Sequence, residues 1–235
     1  MSAGRTRRST VSPTEPTAEP TGHEPLPAGE FAPWLSGTEA ALAGDADADV
    51  PCGTCTACCA SSQFVHLGPE ETGALAAIPA ELLFPAPGLP AGHVLMGYDE
   101  RGRCPMLRDG GCTIYDDRPR TCRTYDCRVF PAAGLDPDPD KPRIAERTRR
   151  WRFAHPDPAD AVLHDAVRAA AAFVRAHRDA LPETVVPRTA TQHAVLAVRL
   201  HGAFVARNGT GATALVDPDP AEVLVHLEAR RAADG

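Results

Sequence analysis

The clearest pattern of apolar and polar positions lies in the last third of the chain. A helix start at residues 157–160 is followed by apolar residues at helical spacing, with charged residues on the opposite face. The apolar positions of this helix are Leu163, Val167, Ala170, Phe173, Val174 and Leu181. A second helix is predicted over roughly 192–206, and a third begins near residue 219, where Glu222 is placed for a capping box. We therefore expect residues 131–235 to be mainly helical.

Between residues 50 and 130 the apolar runs are short and turn signals interrupt them. Strands are predicted over 63–67 and 94–98, with a short helix between them. Residues 103–107 and 112–115 are predicted to form a hairpin, because Asp-Gly-Gly separates them. The whole pattern indicates an α+β fold. In it, a small irregular cysteine-rich region with short β-hairpins packs with the C-terminal α-helices on one core.

The first 49 residues have a different composition. Prolines recur between residues 13 and 27 among Ser, Thr and Glu, and residues 44–50 are acidic. Such a segment buries too little apolar surface to offset its chain entropy. The sequence therefore predicts three regions: a disordered Pro-rich tail and linker over 1–49, a cysteine-rich region over 50–130, and a helical region over 131–235.

Charge and hydropathy narrow the classes of partner and compartment. The formal charge of −7 argues against nucleic-acid binding, which usually needs a basic surface. No apolar stretch follows the N-terminal arginines and no run of 18 apolar residues occurs, so neither a secretory signal nor a membrane span is expected. We expect a cytoplasmic protein whose thiols are kept reduced.

All eight cysteines lie in a single segment of the chain. They are Cys52, Cys55, Cys58, Cys59, Cys104, Cys112, Cys122 and Cys127. A C-x-x-C step lets two thiolates converge on one ion from a tight turn, and Gly53 suits that turn. Inert core cysteines would not place four residues within eight positions, and disulfides need an oxidising compartment. The pattern therefore predicts that all eight cysteines ligate metal.

Cys58 and Cys59 are adjacent, and neighbouring side chains tend to diverge. They are therefore not expected to be equivalent ligands of a single metal ion. Two four-thiolate zinc sites, or one or two iron–sulfur clusters, would use all eight thiols. The spacing of Cys52, Cys55 and Cys58 matches bacterial ferredoxins, in which a Cys-Pro such as Cys104-Pro105 often completes the ligation. Zinc and iron both stay open, with an iron–sulfur cluster slightly favoured.

Other residues near the cysteines are candidates for supporting roles. Seven arginines against four aspartates lie between residues 101 and 128, and such cations could offset thiolate charge or simply be solvated. Arg118-Pro119 is expected to form a rigid turn that aims Cys122, and Tyr115 to pack over the site. His66 and His93 are expected to be ordinary polar residues, since eight thiols are available.

The motif as a whole resembles a known family. It reads Cys52-x-x-Cys55-x-x-Cys58-Cys59, Cys104-Pro, Cys112-x-Ile-Tyr115-x-x-Arg118-Pro119-x-x-Cys122-Arg123 and Cys127. This looks like the CxxCxxCC (YkgJ-like) cysteine-cluster family, which is described as chelating zinc or iron. The resemblance covers residues 50–130 and implies a metal-binding protein with these eight cysteines as its ligands.

Two other functions compete with simple chelation. The chain could be an enzyme or redox protein that uses the cluster, although no catalytic constellation stands out in the sequence. Alternatively, zinc could be purely structural in an interaction adaptor, whose basic run at 141–152 contacts an unknown protein partner. Because the whole chain is acidic, a solvated basic segment is the simpler interpretation of that run.

Overall fold

A computed structural model describes residues 24–46, 50, 52–209 and 211–233. Over these residues the helices are α1 (Phe31–Ala43), α2 (Thr72–Ala77), α3 (Arg120–Thr124), α4 (Val129–Ala133), α5 (Pro142–Thr148), α6 (Pro158–Ala176), α7 (Ala190–Leu200) and α8 (Pro220–Ala233). The strands are β1 (Leu26–Glu30), β2 (Val65–Leu67), β3 (Leu83–Pro85), β4 (Val94–Met96), β5 (Leu107–Arg108), β6 (Gly111–Cys112), β7 (Trp151–Ala154), β8 (Val205–Arg207) and β9 (Thr213–Leu215). The expected α+β class is confirmed. None of the described helices is both long and apolar enough to cross a membrane.

The described strands form small sheets. Strands β2, β4 and β3 make an antiparallel sheet in that order, and β5–β6 and β8–β9 are antiparallel hairpins. Strand β1 pairs in parallel with β7, with Leu26 opposite Trp151. The β5–β6 turn is Asp109-Gly110, both with positive φ as a tight two-residue turn requires. The hairpin is shorter than the predicted strands 103–107 and 112–115.

The main hydrophobic core lies among the helices of the C-terminal half. Helix α6 starts where the sequence predicts, because Asp157 accepts from the backbone N–H of Ala159 and Asp160 completes a capping box. Helix α7 ends at Leu200 and not near 206. The residues that follow form a 3₁₀ turn and then β8, whose hairpin partner β9 provides its backbone hydrogen bonds.

The predicted disordered tail over 1–49 is wrong for residues 26–43. Strand β1 and helix α1 are part of the main core, in which Phe31, Trp34 and Leu35 are buried. Helix α1 ends at Gly44, whose left-handed conformation closes the last turn. These three large apolar residues provide the burial that the Pro-rich composition lacks. Residues 1–23 and 47–49 of that prediction lie outside the described residues.

A second, smaller hydrophobic cluster supports the cysteine-rich region. Its buried members include Val65 and Leu67 of β2, Met96 of β4 and Met106. Cys104, Cys112 and Cys122 pack against this cluster. Cys58 and Cys127 pack instead against the main helical core. The cysteines therefore lie at the boundary between two apolar clusters.

Candidate metal centre

Seven of the eight cysteines line one cavity of about 60 Å³. They are Cys52, Cys55, Cys58, Cys59, Cys104, Cys112 and Cys122. All eight cysteines are free thiols, and each is half-buried. The fold therefore gathers soft sulfur donors from positions 70 residues apart around one small space.

Local backbone hydrogen bonds orient the first four cysteines. The N–H of Cys55 donates to the carbonyl of Cys52 at 2.9 Å, in a turn where Gly53 has a φ of +55°. That conformation favours glycine, as the sequence suggested. Cys58 and Cys59 follow in a single 3₁₀ turn, Cys58–Ala60. The two C-x-x-C steps are therefore compact turns that carry all four thiols into the same region.

The later cysteines come from separate short elements. The N–H of Cys104 donates to the carbonyl of Cys59 at 2.7 Å, which ties the two segments together. Cys112 lies on β6 opposite Leu107. Cys122 lies in α3, and its N–H donates to the carbonyl of Pro119 at 2.8 Å. The predicted rigid turn at Arg118-Pro119 thus leads directly into the helix that carries Cys122.

Cys127 lies apart from the other seven. It lines an adjoining cavity of about 340 Å³ together with Cys52, Cys55 and Cys58. The indole Nε1–H of Trp151 donates to the Sγ of Cys127 at 3.2 Å. The Arg147 guanidinium lies over the same indole, 4.7 Å from the ring centroid. No local pattern predicts this contact, because Trp151 lies 24 residues further along the chain, on β7.

Burial keeps most of the thiols protonated. It raises the pKa of Cys104 to about 11, that of Cys122 to about 12 and that of Cys127 to about 11. A hydrogen bond between Cys58 and Cys59 raises the pKa of Cys58 and lowers that of Cys59 to about 7. Because thiolates are the species that ligate metal, binding an ion here must displace protons.

Arg118 is the one buried arginine of the seven between 101 and 128. Its guanidinium stacks 3.9 Å from the centroid of Tyr115, donates to the Tyr115 carbonyl at 2.7 Å, and reaches the Val50 carbonyl at 3.4 Å. Both Arg118 and Tyr115 line the cysteine cavity. A buried cation at this place offsets thiolate charge, so the supporting role applies to Arg118 most directly.

Of the remaining candidates, Arg128 lines the 340 Å³ cavity, whereas the exposed arginines and both histidines do not line the described cavities that hold cysteines. Arg101, Arg103, Arg108 and Arg120 are exposed. Arg128 pairs with Asp126, which also accepts from the Trp34 indole at 2.8 Å. His66 Nε2 and His93 Nδ1 lie 3.0 Å apart, and neither residue lines the described cavities that hold cysteines.

The donor set fits a thiophilic metal in its chemistry. Free thiols surround the cavity, a buried arginine offsets their charge, and an indole donates to one sulfur. Among the described residues, no three Cys, His, Asp or Glu side chains already stand at metal-holding geometry. The thiols would therefore have to close in on an ion, aided by rotamer changes of half-buried side chains.

This arrangement is typical of small cysteine-rich domains that bind metal through thiolates. Residues 51–136 match the family model CxxCxxCC, "Putative zinc- or iron-chelating domain". The resemblance expected from the motif is thereby confirmed over that range, which includes every cysteine of the chain. Comparison with curated proteins and with solved structures gave no match.

Proposed function

We propose that this protein binds zinc or iron through its eight cysteines. The observation that carries the proposal is the convergence of seven thiols on one small cavity, with the eighth in the cavity beside it. The similarity of residues 51–136 to a zinc- or iron-chelating family supports it. Bound metal would displace the protons that burial otherwise keeps on the thiols, and would fix the cysteines at the boundary of the two apolar clusters.

Within this proposal we favour iron, held as an iron–sulfur cluster. The spacing of Cys52, Cys55 and Cys58 is that of ferredoxin ligands. The buried Arg118 beside the cavity offsets thiolate charge for zinc and iron alike, so the choice of iron rests on the cysteine spacing. Free thiols throughout the site support residence in a reducing compartment, which we propose is the cytoplasm.

An anaerobic purification tests both levels of the proposal. Elemental analysis should find zinc or iron bound to the chain, and an iron–sulfur cluster should add visible absorbance and acid-labile sulfide. A colourless protein that holds zinc and no sulfide would overturn the choice of iron and leave metal binding intact. A folded protein that holds neither metal would overturn the proposal as a whole.

A second candidate function is an enzyme or redox protein that uses the same centre. It is favoured by the 340 Å³ cavity at the cysteines and by a neighbouring cavity of about 690 Å³. Tyr125, Asp126 and Arg128 line both cavities. Volumes of this order are those of small-molecule sites. Trp34 lines the larger cavity, so its fluorescence reports occupancy. A broad metabolite panel that changes neither this fluorescence nor the melting temperature would count against the candidate.

A further inference from the structure

We infer that the eight cysteines divide into two sites of different kinds. Cys59, Cys104, Cys112 and Cys122, the inner set, form a site on the 60 Å³ cavity. Cys52, Cys55, Cys58 and Cys127, the cavity set, form a second site that opens onto the 340 Å³ cavity. This inference rests on the proposed function and assigns which thiols share a metal centre.

The cavities separate the two sets most directly. The 340 Å³ cavity is lined by all four cysteines of the cavity set and by none of the inner set. The 60 Å³ cavity is lined by all four of the inner set and lacks Cys127. Cys52, Cys55 and Cys58 border both spaces, so the two sites share a wall. On the side of the 340 Å³ cavity, Cys127 is the fourth thiol beside these three.

Hydrophobic packing divides the cysteines in the same way. Cys104, Cys112 and Cys122 pack on the small cluster of Val65, Leu67, Met96 and Met106. Cys58 and Cys127 pack on the main helical core. The five cysteines that pack on an apolar cluster therefore divide between the two clusters as the two sets do.

Cys59 belongs with the inner set through the backbone. The hydrogen bond from the N–H of Cys104 to the carbonyl of Cys59 holds these two residues side by side. Cys59 also lies with Cys104 and Cys122 on a further small cavity beside Phe64, which Cys58 lines as well. The adjacent pair Cys58 and Cys59 thus contributes one thiol to each set. The hydrogen bond between these two thiols places the two sites directly beside each other.

The surroundings of the two sets predict different behaviour. In the cavity set, Trp151 donates a hydrogen bond to Cys127. The 340 Å³ cavity, which Tyr125 also lines, leaves open space next to these sulfurs. The inner set lies on the 60 Å³ cavity, together with Met96, Met106 and Ile114 and with the polar Tyr115 and Arg118. A site with open space beside its sulfurs exchanges its metal and accepts an outside ligand, whereas a site without that space is structural. We therefore assign exchange to the cavity set and fold support to the inner set.

Cysteine-to-serine pairs test the division. The protein is purified anaerobically from cells, and its zinc and iron per chain are measured by elemental analysis, with circular dichroism as the folding control. Cys127→Ser should keep the fold and lose the metal of the cavity set, while the metal of the inner set remains. Cys55→Ser combined with Cys127→Ser should lose no more than Cys127→Ser alone, because both substitutions empty the same site. Cys112→Ser combined with Cys127→Ser should lose all of the metal.

Several outcomes would overturn the division and leave metal binding itself intact. One is full metal content in Cys127→Ser, and another is complete loss in folded Cys127→Ser, as a single polynuclear cluster would give. If the Cys112→Ser variants fail to fold, chelator extraction of the wild-type protein decides. Release with EDTA should occur in two steps, and the fast step should be missing in Cys127→Ser. Release in a single step would refute two unlike sites, whereas wild-type protein without metal would refute the proposed function.

Discussion

Trp151 donates its indole N–H to the sulfur of Cys127 over 3.2 Å, across 24 residues of sequence. A hydrogen bond to a thiolate stabilises the charged form and so favours the metal-bound state. Trp151→Phe keeps an aromatic ring and removes the donor. We expect the variant to stay folded and to lose cavity-set metal to EDTA about tenfold faster or more, in line with losses of outer-shell partners. Metal analysis over time measures the effect.

Trp34→Phe is the matched control for that experiment. Its indole N–H donates to Asp126 and not to sulfur. Loss of this bond should lower the free energy of unfolding by about 1–2 kcal/mol, while the rate of metal release stays that of the wild type. Equal acceleration of metal release in both variants would show that the indole of Trp151 acts only through general stability.

The buried Arg118 is expected to be required for both fold and metal. Arg118→Met removes a cation from the cysteine cavity and leaves the carbonyls of Tyr115 and Val50 without their donor. We expect a loss of about 2 kcal/mol or more in the free energy of unfolding, together with a lower metal content. Chemical denaturation and elemental analysis test this. Arg103→Met, at an exposed ion pair with Asp99, should change neither quantity measurably.

Helix α1 is predicted to be essential for stability. Phe31 is fully buried, and its ring stacks on His164 and meets Phe153 edge-on. Phe31→Ala should therefore destabilise the fold by about 3–5 kcal/mol through the cavity it leaves. Phe84→Ala, at a ring that is 40% exposed, should cost less than about 1 kcal/mol. Similar melting temperatures for the two variants would mean that residues 26–43 do not belong to the core.

Stability should fall with acidification through His164. Burial, and then the nearby Arg168 cation, lowers the pKa of His164 from 6.5 to about 4. Its Nε2–H donates to the Pro131 carbonyl, so Nδ1 accepts from His155. Below pH 6.5 the unfolded chain binds a proton that the folded chain refuses, until the pH reaches about 4. The stability present above pH 6.5 is therefore lost over that window, by on the order of 2 kcal/mol.

His164→Gln tests that pH dependence. The amide keeps hydrogen-bonding groups and cannot titrate, so the variant should show a flatter decline of melting temperature between pH 6.5 and pH 4 than the wild type. Metal loss in acid would add its own decline. Both proteins are therefore compared in the metal-free form, prepared with chelator under reducing conditions. If the melting temperatures of the two proteins declined equally with pH, His164 would not be the group responsible for the loss of stability.

Much of the helical region could be predicted because its signals are local. Asp157 and Asp219 begin α6 and α8 through contacts with residues two or three positions ahead. The parallel pairing of β1 with β7 depends on residues more than 120 positions apart, and no short-range pattern records it. The prolines that precede β1 indicate a disordered tail, and the sequence alone does not show that Phe31, Trp34 and Leu35 become buried. The prediction of disorder over 26–43 was wrong for this reason.

The candidate site shows the same contrast between local signals and long-range contacts. Spacing alone predicted that the cysteines gather, because C-x-x-C turns are local. Spacing could not single out Cys127, whose separate position depends on Trp151 and on the main core. Nor could it distinguish Arg118 from six other arginines, since only the folded chain buries its guanidinium against Tyr115.

The parallel pairing of β1 with β7 also bears on how the protein is made. Leu26 and Trp151 both form part of the wall of the 340 Å³ cavity. On the ribosome, residues 26–30 have no partner strand until residues 151–154 have emerged, by which time all eight cysteines are outside the exit tunnel. All eight cysteines of the nascent chain are therefore accessible before this wall of the cavity can form.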